Sequence, residues 1–228
     1  MRKLTDFAAV IFDMDGLVLD TEKTYFKAWQ AAAKSMGFDF TEPFLNSLSG
    51  LHYKAIERKV LACLGADFDL KSFNQLSGVF WREQVSLDGI ETKPGFNQLL
   101  DFINECNIPY CLATNSRTIN VNECLELAGI KDVFSIIITR DDVVQGKPEP
   151  DIFLKAAERL KVSIADCLIL EDSLAGIQAA VTAGACSVFV PSTEPVDLMA
   201  IQLSDLVVTD LSQALFAFKS LCEPVNAV

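Results

Sequence analysis

The stretch IFDMDGLVLDTE, residues 11–22, places two aspartates, Asp13 and Asp15, two positions apart directly after an apolar run. The run itself, FAAVIFD (7–13), is continuously apolar and partly β-branched, which is typical of a strand buried on both faces. Asp13 would then stand at the carboxyl end of a buried strand. Ligands of open parallel sheets bind beyond the carboxyl ends of strands, so this stretch predicts a functional edge.

Four more segments share this apolar character and predict strands, and a weaker candidate is DLVVTD (205–210). They are IPYCLAT (108–114), VFSIIIT (133–139), DCLILED (166–172) and CSVFVP (186–191). Helical patterns separate them, in PGFNQLLDFINECN (94–107), RTINVNECLELAG (117–129), PDIFLKAAERLKV (150–162) and SLAGIQAAVTAG (173–184). This alternation predicts an α/β fold, a Rossmann-like parallel sheet core with helices on both faces.

The segment between the first and second strands carries helical patterns alone, in EKTYFKAWQAAAKSMG (22–37), HYKAIERKVLACLG (52–65) and SFNQLSGVFWREQV (72–85). It predicts a small helical domain, residues 18–92, inserted into a core built from residues 1–17 and 93–228. The chain would leave the core through LVLDT (17–21) and return through LDGIETKPG (87–95), so we expect these two segments to be hinges.

Polar side chains from four separate segments would meet at the carboxyl edge of the predicted sheet. The set combines two pairs of acids, hydroxyl and amide groups, and one lysine. In chain order its members are Asp13, Asp15, Thr114, Asn115, Ser116, Lys147, Glu171 and Asp172. Because these residues are far apart in sequence, their convergence on one edge predicts a site.

The crowded carboxylates predict a metal ion. Four ionised carboxylates at one place repel one another, and a hard divalent cation relieves that repulsion. Mg²⁺ prefers oxygen ligands, often one or two carboxylates together with substrate phosphate. We therefore expect Mg²⁺ with Asp13 and Asp172 as carboxylate ligands. The alternative for Asp172 is a helix N-cap, shared with Ser173.

The same residues could carry out phosphoryl transfer. Asp13 could attack phosphorus, because aspartate carboxylates form aspartyl-phosphates. Asp15 could protonate the leaving oxygen and later activate water, help that is worth roughly 10²–10⁴ in rate. Lys147 would supply positive charge, with an exposed loop lysine as the alternative. Thr114 and Asn115 could hold phosphate oxygens, with ordinary capping of the next helix as the alternative.

The amino-acid composition limits the classes of molecule that this protein is expected to bind. The 228 residues carry a formal net charge of -12 and a mean hydropathy of +0.29, which predict a globular protein that repels nucleic acid and anionic membranes. The seven cysteines are scattered through apolar stretches, which favours a reducing, cytoplasmic location. No apolar run reaches the length of about 18 residues that suggests a membrane span. Oligomeric state stays open.

Four motifs together resemble those of the haloacid dehalogenase-like (HAD) hydrolase superfamily, in its order and approximate spacing. They are DMDGLVLDTE (13–22), CLATNS (111–116), GKPEPDIF (146–153) and LILEDSLAGIQAA (168–180). The resemblance implies that Asp13 is the nucleophile and Asp15 the general acid and base, and that Thr114 and Lys147 bind phosphate. It also implies Mg²⁺ held by Asp13, the Asp15 backbone carbonyl and Asp172, with Glu171 near or in the coordination shell.

Residues 18–92 resemble the small helical cap of the beta-phosphoglucomutase-like branch. This chain has Tyr25 and Tyr53 where the mutase carries a histidine and an arginine, which favours a phosphatase of that branch acting on a small phosphorylated metabolite, such as a sugar phosphate. A phosphosugar mutase is the alternative; a dehalogenase and a non-catalytic phosphate-binding protein are less favoured. Candidate substrate contacts, besides Asn115 and Ser116, are Gly50, His52 and Lys54, with Arg58 and Arg82 unranked.

Overall fold

The computed structural model describes residues 6–48 and 53–222, without the side chains of residues 53 and 220–222. These residues form two compact units. The larger unit comprises the chain up to Leu19 and from Glu91 onward, and the helical unit comprises Asp20–Ile90. In the described part of the chain, no helix combines the length and apolarity that crossing a membrane would require.

Within its described residues, the larger unit holds one parallel sheet of six strands in the order β3-β2-β1-β4-β5-β6. The strands are β1 Ala9–Phe12, β2 Tyr110–Ala113, β3 Ile137–Ile138, β4 Cys167–Glu171, β5 Cys186–Phe189 and β6 Leu206–Val207. The central strand β1 pairs with β2 on one side and with β4 on the other. The strand order reverses direction at β1, and ligands of open α/β sheets bind at such a switch point.

The helical unit contains α1 Thr21–Ser35, α2 Glu42–Asn46, α3 Tyr53–Leu64 and α4 Leu70–Asp88. Its core is apolar and brings together all four helices and the α1–α2 connection. The fully or nearly fully buried members are Ala32, Ala33, Phe40, Val60 and Phe73. The helices begin at capping residues where the sequence offers them, as at Asp69, whose carboxylate accepts the backbone N–H of Ser72 at 3.0 Å.

Within the described part of the larger unit, six α-helices connect and cover the strands. They are α5 Phe96–Glu105, α6 Thr118–Leu127, α7 Asp151–Leu160, α8 Leu174–Ala183, α9 Leu198–Leu203 and α10 Leu211–Cys222. Helices α7 and α8 pack on the sheet through Phe153 and Ala180, against Ile11 of β1 and Ile169 of β4. Burying such side chains stabilises the fold by about 1.5–3 kcal/mol each for the larger ones, so the central strands form a firm base for the residues that follow them.

The predicted α/β fold with a Rossmann-like parallel sheet is confirmed. The strand predicted over 133–139 is shorter than expected, since β3 has two residues, Ile137–Ile138. Helices α2, α9 and α10 were not predicted; α2 and α9 are only one or two turns long, whereas α10, Leu211–Cys222, has 12 residues. Leu19 forms bridges with Asp15 and with Thr92, so the two chain connections at the helical unit meet in the larger unit.

Candidate active site

Two pairs of acids stand side by side because β1 and β4 are neighbours in the sheet. Asp13 follows β1, and Asp172 follows Glu171, the last residue of β4. The backbone N–H of Asp13 donates to the carbonyl oxygen of Leu170 at 3.1 Å, which extends the strand register to the aspartate. Asp13 is 6% exposed and Glu171 is fully buried. The structure therefore brings the two predicted pairs to one edge.

Lys147 lies between these acids. Its Nζ donates to Asp13 Oδ1 at 2.5 Å, to Glu171 Oε1 at 2.6 Å and to the backbone carbonyl of Ala113 at 2.9 Å. All three donors of the ammonium group thus have protein acceptors. The side chain is 3% exposed, so its alternative interpretation as an exposed loop lysine is wrong.

Glu171 is fixed from two directions. Its Oε1 accepts from Lys147, while Oε2 accepts the backbone N–H groups of Asp172 at 3.0 Å and Ser173 at 3.1 Å, together with the Ser173 hydroxyl at 2.9 Å. Gly176 lies against this carboxylate, and a Cβ at that position would overlap it. Glu171 therefore links the lysine to the start of α8, a role that its spacing in the sequence did not reveal.

The cap of α8 is Ser173, whose Oγ accepts the backbone N–H of Gly176 at 3.1 Å. The alternative in which Asp172 caps this helix is therefore wrong. The Asp172 carboxylate instead accepts the Ser192 hydroxyl at 2.6 Å. Gly16, at φ +82, lets this approach occur, because a Cβ there would overlap the Asp172 carboxylate.

Asp15 is half-buried and is held by two hydroxyl groups that follow β2. Ser116 Oγ donates to Asp15 Oδ2 at 2.6 Å, and Thr114 Oγ1 approaches the same oxygen at 3.5 Å. Thr114 also accepts the backbone N–H of Ser116 at 3.0 Å, which ties the two hydroxyl residues together. One carboxylate oxygen of Asp15 thus has a fixed direction.

Asn115 contacts the backbone of Lys147 through both ends of its side-chain amide. Its Oδ1 accepts the Lys147 backbone N–H at 2.8 Å, and its Nδ2 donates to the Lys147 backbone carbonyl at 3.0 Å. The alternative role as a helix cap is wrong for Asn115 and Thr114, because α6 begins after Arg117 and its first N–H, that of Thr118, donates to Asp141 at 3.0 Å.

Electrostatics at this edge favour an added cation. Burial raises the pKa of Asp13 to about 7, with Glu171 and Asp15 adding to the rise and Lys147 opposing it. For Lys147, burial opposes the charged form, but Asp13 and Glu171 outweigh burial and raise its pKa. One buried ammonium group therefore does not supply enough positive charge for the acids around it.

The donor atoms fit a hard divalent cation. One carboxylate oxygen from each of Asp13, Glu171 and Asp172 lies within 4.8 Å of the others. Oxygen donors of this kind suit Mg²⁺. Glu171 Oε2 already accepts three hydrogen bonds and Oε1 accepts one from Lys147, so little capacity is left at Glu171 to coordinate an ion.

The remaining predicted contacts belong to the helical unit. Lys54 is an exposed residue of α3, and Arg58 and Arg82 are also exposed. Gly50 and His52 lie outside the described residues, so their predicted substrate contacts stay predictions.

Known proteins resemble this chain over most of its length. Residues 10–190 match the sequence model of a family described as haloacid dehalogenase-like hydrolase. A beta-phosphoglucomutase from Bacillus subtilis is 33% identical, over 87% of this chain and 91% of that protein. A phosphorylated carbohydrates phosphatase from Thermotoga maritima is 31% identical, over 77% of this chain and 81% of that protein.

Comparison with solved structures leads to the same family as comparison of the sequences. A beta-phosphoglucomutase-like protein from Thermotoga maritima superposes with a TM-score of 0.81 at 27% identity, covering 93% of this chain and 99% of that one. The chain belongs to the haloacid dehalogenase-like hydrolase family. Within it, the relatives and the fold assign the chain to the beta-phosphoglucomutase-like branch, and the predicted enzyme class, a phosphoric monoester hydrolase, is confirmed.

Proposed function

We propose that this enzyme is a Mg²⁺-dependent phosphatase that hydrolyses a small phosphorylated metabolite through an aspartyl-phosphate on Asp13. The observation that carries the proposal is the meeting of Asp13, Asp15, Lys147 and Asp172 at the carboxyl edge of one sheet. The phosphatase from Thermotoga maritima is named for phosphorylated carbohydrates, which favours a sugar phosphate as the substrate here.

In the first step, a carboxylate oxygen of Asp13 attacks phosphorus, the bond from phosphorus to the ester oxygen breaks, and Asp15 gives its proton to that oxygen. In the second step, Asp15 takes a proton from water while the water oxygen attacks the phosphoryl group. Phosphate leaves and the Asp13 carboxylate is restored. The hydroxyl groups of Ser116 and Thr114 support this role, because they orient the Asp15 carboxylate.

Lys147 would keep positive charge beside Asp13 throughout, since its ammonium group is anchored by Glu171 and by the Ala113 carbonyl as well. Asp13 and Asp172 would hold Mg²⁺ together with the Asp15 backbone carbonyl, and Glu171 would act mainly by positioning Lys147. Bound Mg²⁺ would supply further positive charge for the phosphoryl oxygens. Phosphate would approach the hydroxyl groups that follow β2, with Asn115 acting on the lysine backbone.

Residues 18–92 would form the cap of the enzyme, with LVLDT (17–21) and LDGIETKPG (87–95) as hinges. The proposal also includes a cytoplasmic location, which Cys63, Cys111, Cys124 and Cys167 support because they are free thiols. The proposal includes one binding partner, the small phosphorylated metabolite.

The test is phosphate release from a panel of small phosphate monoesters, measured with Mg²⁺ and again with EDTA. We expect turnover of at least one ester with Mg²⁺, and loss of turnover with EDTA and in Asp13→Asn. Asp101→Asn, at an exposed aspartate of α5, is the matched control and should keep full turnover. Normal turnover in Asp13→Asn would refute the proposed role of Asp13 as the nucleophile.

A mutase is the second candidate, because the beta-phosphoglucomutase from Bacillus subtilis is 33% identical to this chain. The assay is conversion of beta-glucose 1-phosphate to glucose 6-phosphate. Tyr25 favours the phosphatase, since it stands where the mutase carries a histidine and its ring instead stacks on Trp29 and Trp81. Isomerisation without net phosphate release would replace the phosphatase by the mutase.

A further inference from the structure

The helical unit contains a cavity of about 300 Å³ lined by residues of α1, α3 and α4. This volume lies at the lower end of the range of about 300–1,000 Å³ that is typical of small-molecule sites. Four aromatic side chains, Tyr25, Trp29, Phe73 and Trp81, form part of its wall. The cavity therefore has the size and the apolar lining of a ligand pocket.

Three of these rings are nearly parallel. The ring of Tyr25 lies 6.1 Å from that of Trp29 at an angle of 20°, and 5.6 Å from that of Trp81 at 14°. Trp81 is held in this orientation by its indole N–H, which donates to the Thr24 hydroxyl at 2.9 Å. Flat, fixed aromatic side chains of this kind favour stacking with another planar ring.

A polar group also lines the cavity. Ser77 on α4 is 7% exposed, and its Oγ has no hydrogen-bond partner among the described residues. Leaving a buried hydroxyl unpaired is unfavourable, so native proteins rarely do so without a reason. Near it in sequence, Asn74 already donates to Glu57 at 2.8 Å. The Ser77 hydroxyl is thus available to a ligand.

We propose that this cavity binds a planar, unsaturated ring carrying a hydrogen-bonding group, which pairs with the Ser77 hydroxyl. The aromatic wall would contact the ring and the serine would select its polar substituent. Glu57, Asn74 and Arg82 also line the cavity, but most of its wall is apolar, so a plain sugar would leave many of its hydroxyl groups without partners. This inference goes beyond the proposed hydrolysis and stands independently of it.

Tryptophan fluorescence can test the proposal, because the chain has two tryptophans and both line the cavity. The full chain is titrated with uridine and adenosine as ring probes, and with ribose, which has no planar unsaturated ring, as the control. We expect a saturable change in emission with at least one ring probe and none with ribose. If none of the ring probes gives a saturable change in emission, the proposal is overturned.

Variants locate the binding. Ser77→Ala should weaken the binding of whichever nucleoside probe binds about fivefold, which is the loss expected for one hydrogen bond. The same substitution should not lower thermal stability. Gly78→Leu should weaken probe binding at least tenfold by filling the cavity; a Cβ at Gly78 has Arg82 Nη1 as its nearest neighbour, at 3.8 Å. Ser86→Ala, at an exposed serine of the same helix, should change nothing. Unchanged affinity in both cavity variants would contradict the site.

Kinetics then separate two sources of the ring. We compare kcat/KM for uridine 5′-monophosphate and ribose 5-phosphate in Ser77→Ala. If kcat/KM falls for the nucleotide alone, the ring is a part of the substrate. If both kcat/KM values are unchanged while ring binding is weakened, the ring belongs to a separate ligand. Both outcomes support the ring site. Ring binding without hydrolysis of any ester would count against the phosphatase proposal and not against the ring site.

Discussion

At the scale of single residues, Lys147 shows how the site is assembled. Its ammonium group meets Asp13 and Glu171, while its backbone is held by the Asn115 amide at 2.8 and 3.0 Å. Side chain and backbone of the lysine are therefore fixed by different segments of the chain. Asn115, expected to contact phosphate, is in this geometry a positioning residue for the lysine.

Asn115→Ala tests that positioning. Loss of both amide contacts should let the Lys147 backbone shift, and we expect kcat/KM for the best ester to fall about ten- to hundredfold. Asn120→Ala, an exposed residue of α6, is the matched control. Steady-state kinetics of both variants measure the effect, and equal activity of the two would show that the amide is dispensable.

Ser192→Ala tests the support of Asp172. The Ser192 hydroxyl donates to Asp172 Oδ2 at 2.6 Å, and losing such an outer contact typically lowers metal affinity about ten- to hundredfold. Calorimetric titration with Mg²⁺ measures this affinity without any substrate. Ser192→Thr keeps the hydroxyl and should restore much of the binding, whereas unaltered affinity in the alanine variant would contradict the role.

The sequence was sufficient to predict that the acids and the lysine meet at one edge of the sheet, because each follows a recognisable apolar strand or lies in a distinctive loop. It was not sufficient for the amide of Asn115 or for the Glu171 contacts. The Asn115 contacts and the contact of Glu171 with Lys147 join segments 32 and 24 residues apart, and no local pattern encodes such a meeting. Ser192 carries no signal in the sequence for the same reason.

At the scale of secondary-structure elements, the pairing of β1 with β4 sets the geometry, and α8 covers it closely. Gly176 in α8 lies so near Glu171 that no side chain fits. Glycine within a helix is otherwise unfavourable relative to alanine. Its presence here is therefore explained by the buried carboxylate beneath the helix.

Paired glycine variants test this packing. Gly176→Ala should lower the free energy of unfolding by about 1–3 kcal/mol, since the methyl group must displace the buried carboxylate. Gly78→Ala in α4 should raise it by about 1 kcal/mol, because its Cβ would meet only the Arg82 side chain, at 3.8 Å. Urea denaturation measures both, and stabilisation by both substitutions would contradict the close approach at Glu171.

The N-cap of α4 predicts a pH dependence. Hydrogen bonds from the Ser72 hydroxyl and backbone N–H lower the pKa of Asp69 below its usual 3.8, so its contribution to stability is present above that pH and lost as pH falls through the lowered value. Asp69→Ala should therefore destabilise the protein at neutral pH, with a difference that fades below about pH 4. Asp67→Ala is the control in thermal scans, and a difference independent of pH would argue against the charged cap.

Element boundaries were predicted unevenly. The central strands β1, β2 and β4 were evident because their side chains are buried on both faces, whereas the two-residue strand β6 gave a weak pattern and the apolar run 133–139 predicted a longer strand than the two residues of β3. Helix α9 was missed although Asp197 caps it by accepting the backbone N–H groups of Met199 and Ala200. A short helix with a good cap is hard to distinguish from a turn by periodicity alone.

At the scale of the whole molecule, a formal net charge of -12 repels anionic substrates at long range. An anion site must then be built locally, which fits a lysine buried among carboxylates that also suit a metal ion. The described residues form two compact units, and one of them is the helical unit, Asp20–Ile90. The residues proposed to be catalytic lie in the larger unit, and the cavity proposed to bind a ring lies in the helical unit.

The central claim is that Asp13 takes up the phosphoryl group, and mass spectrometry tests it most directly. The enzyme is mixed with 4-nitrophenyl phosphate and Mg²⁺, quenched in acid within a single turnover and digested. We expect one added phosphoryl group on the peptide that contains Asp13, with greater accumulation in Asp15→Asn and none in Asp13→Asn. A phosphoryl group on another residue, or its uptake by Asp13→Asn, would contradict the account.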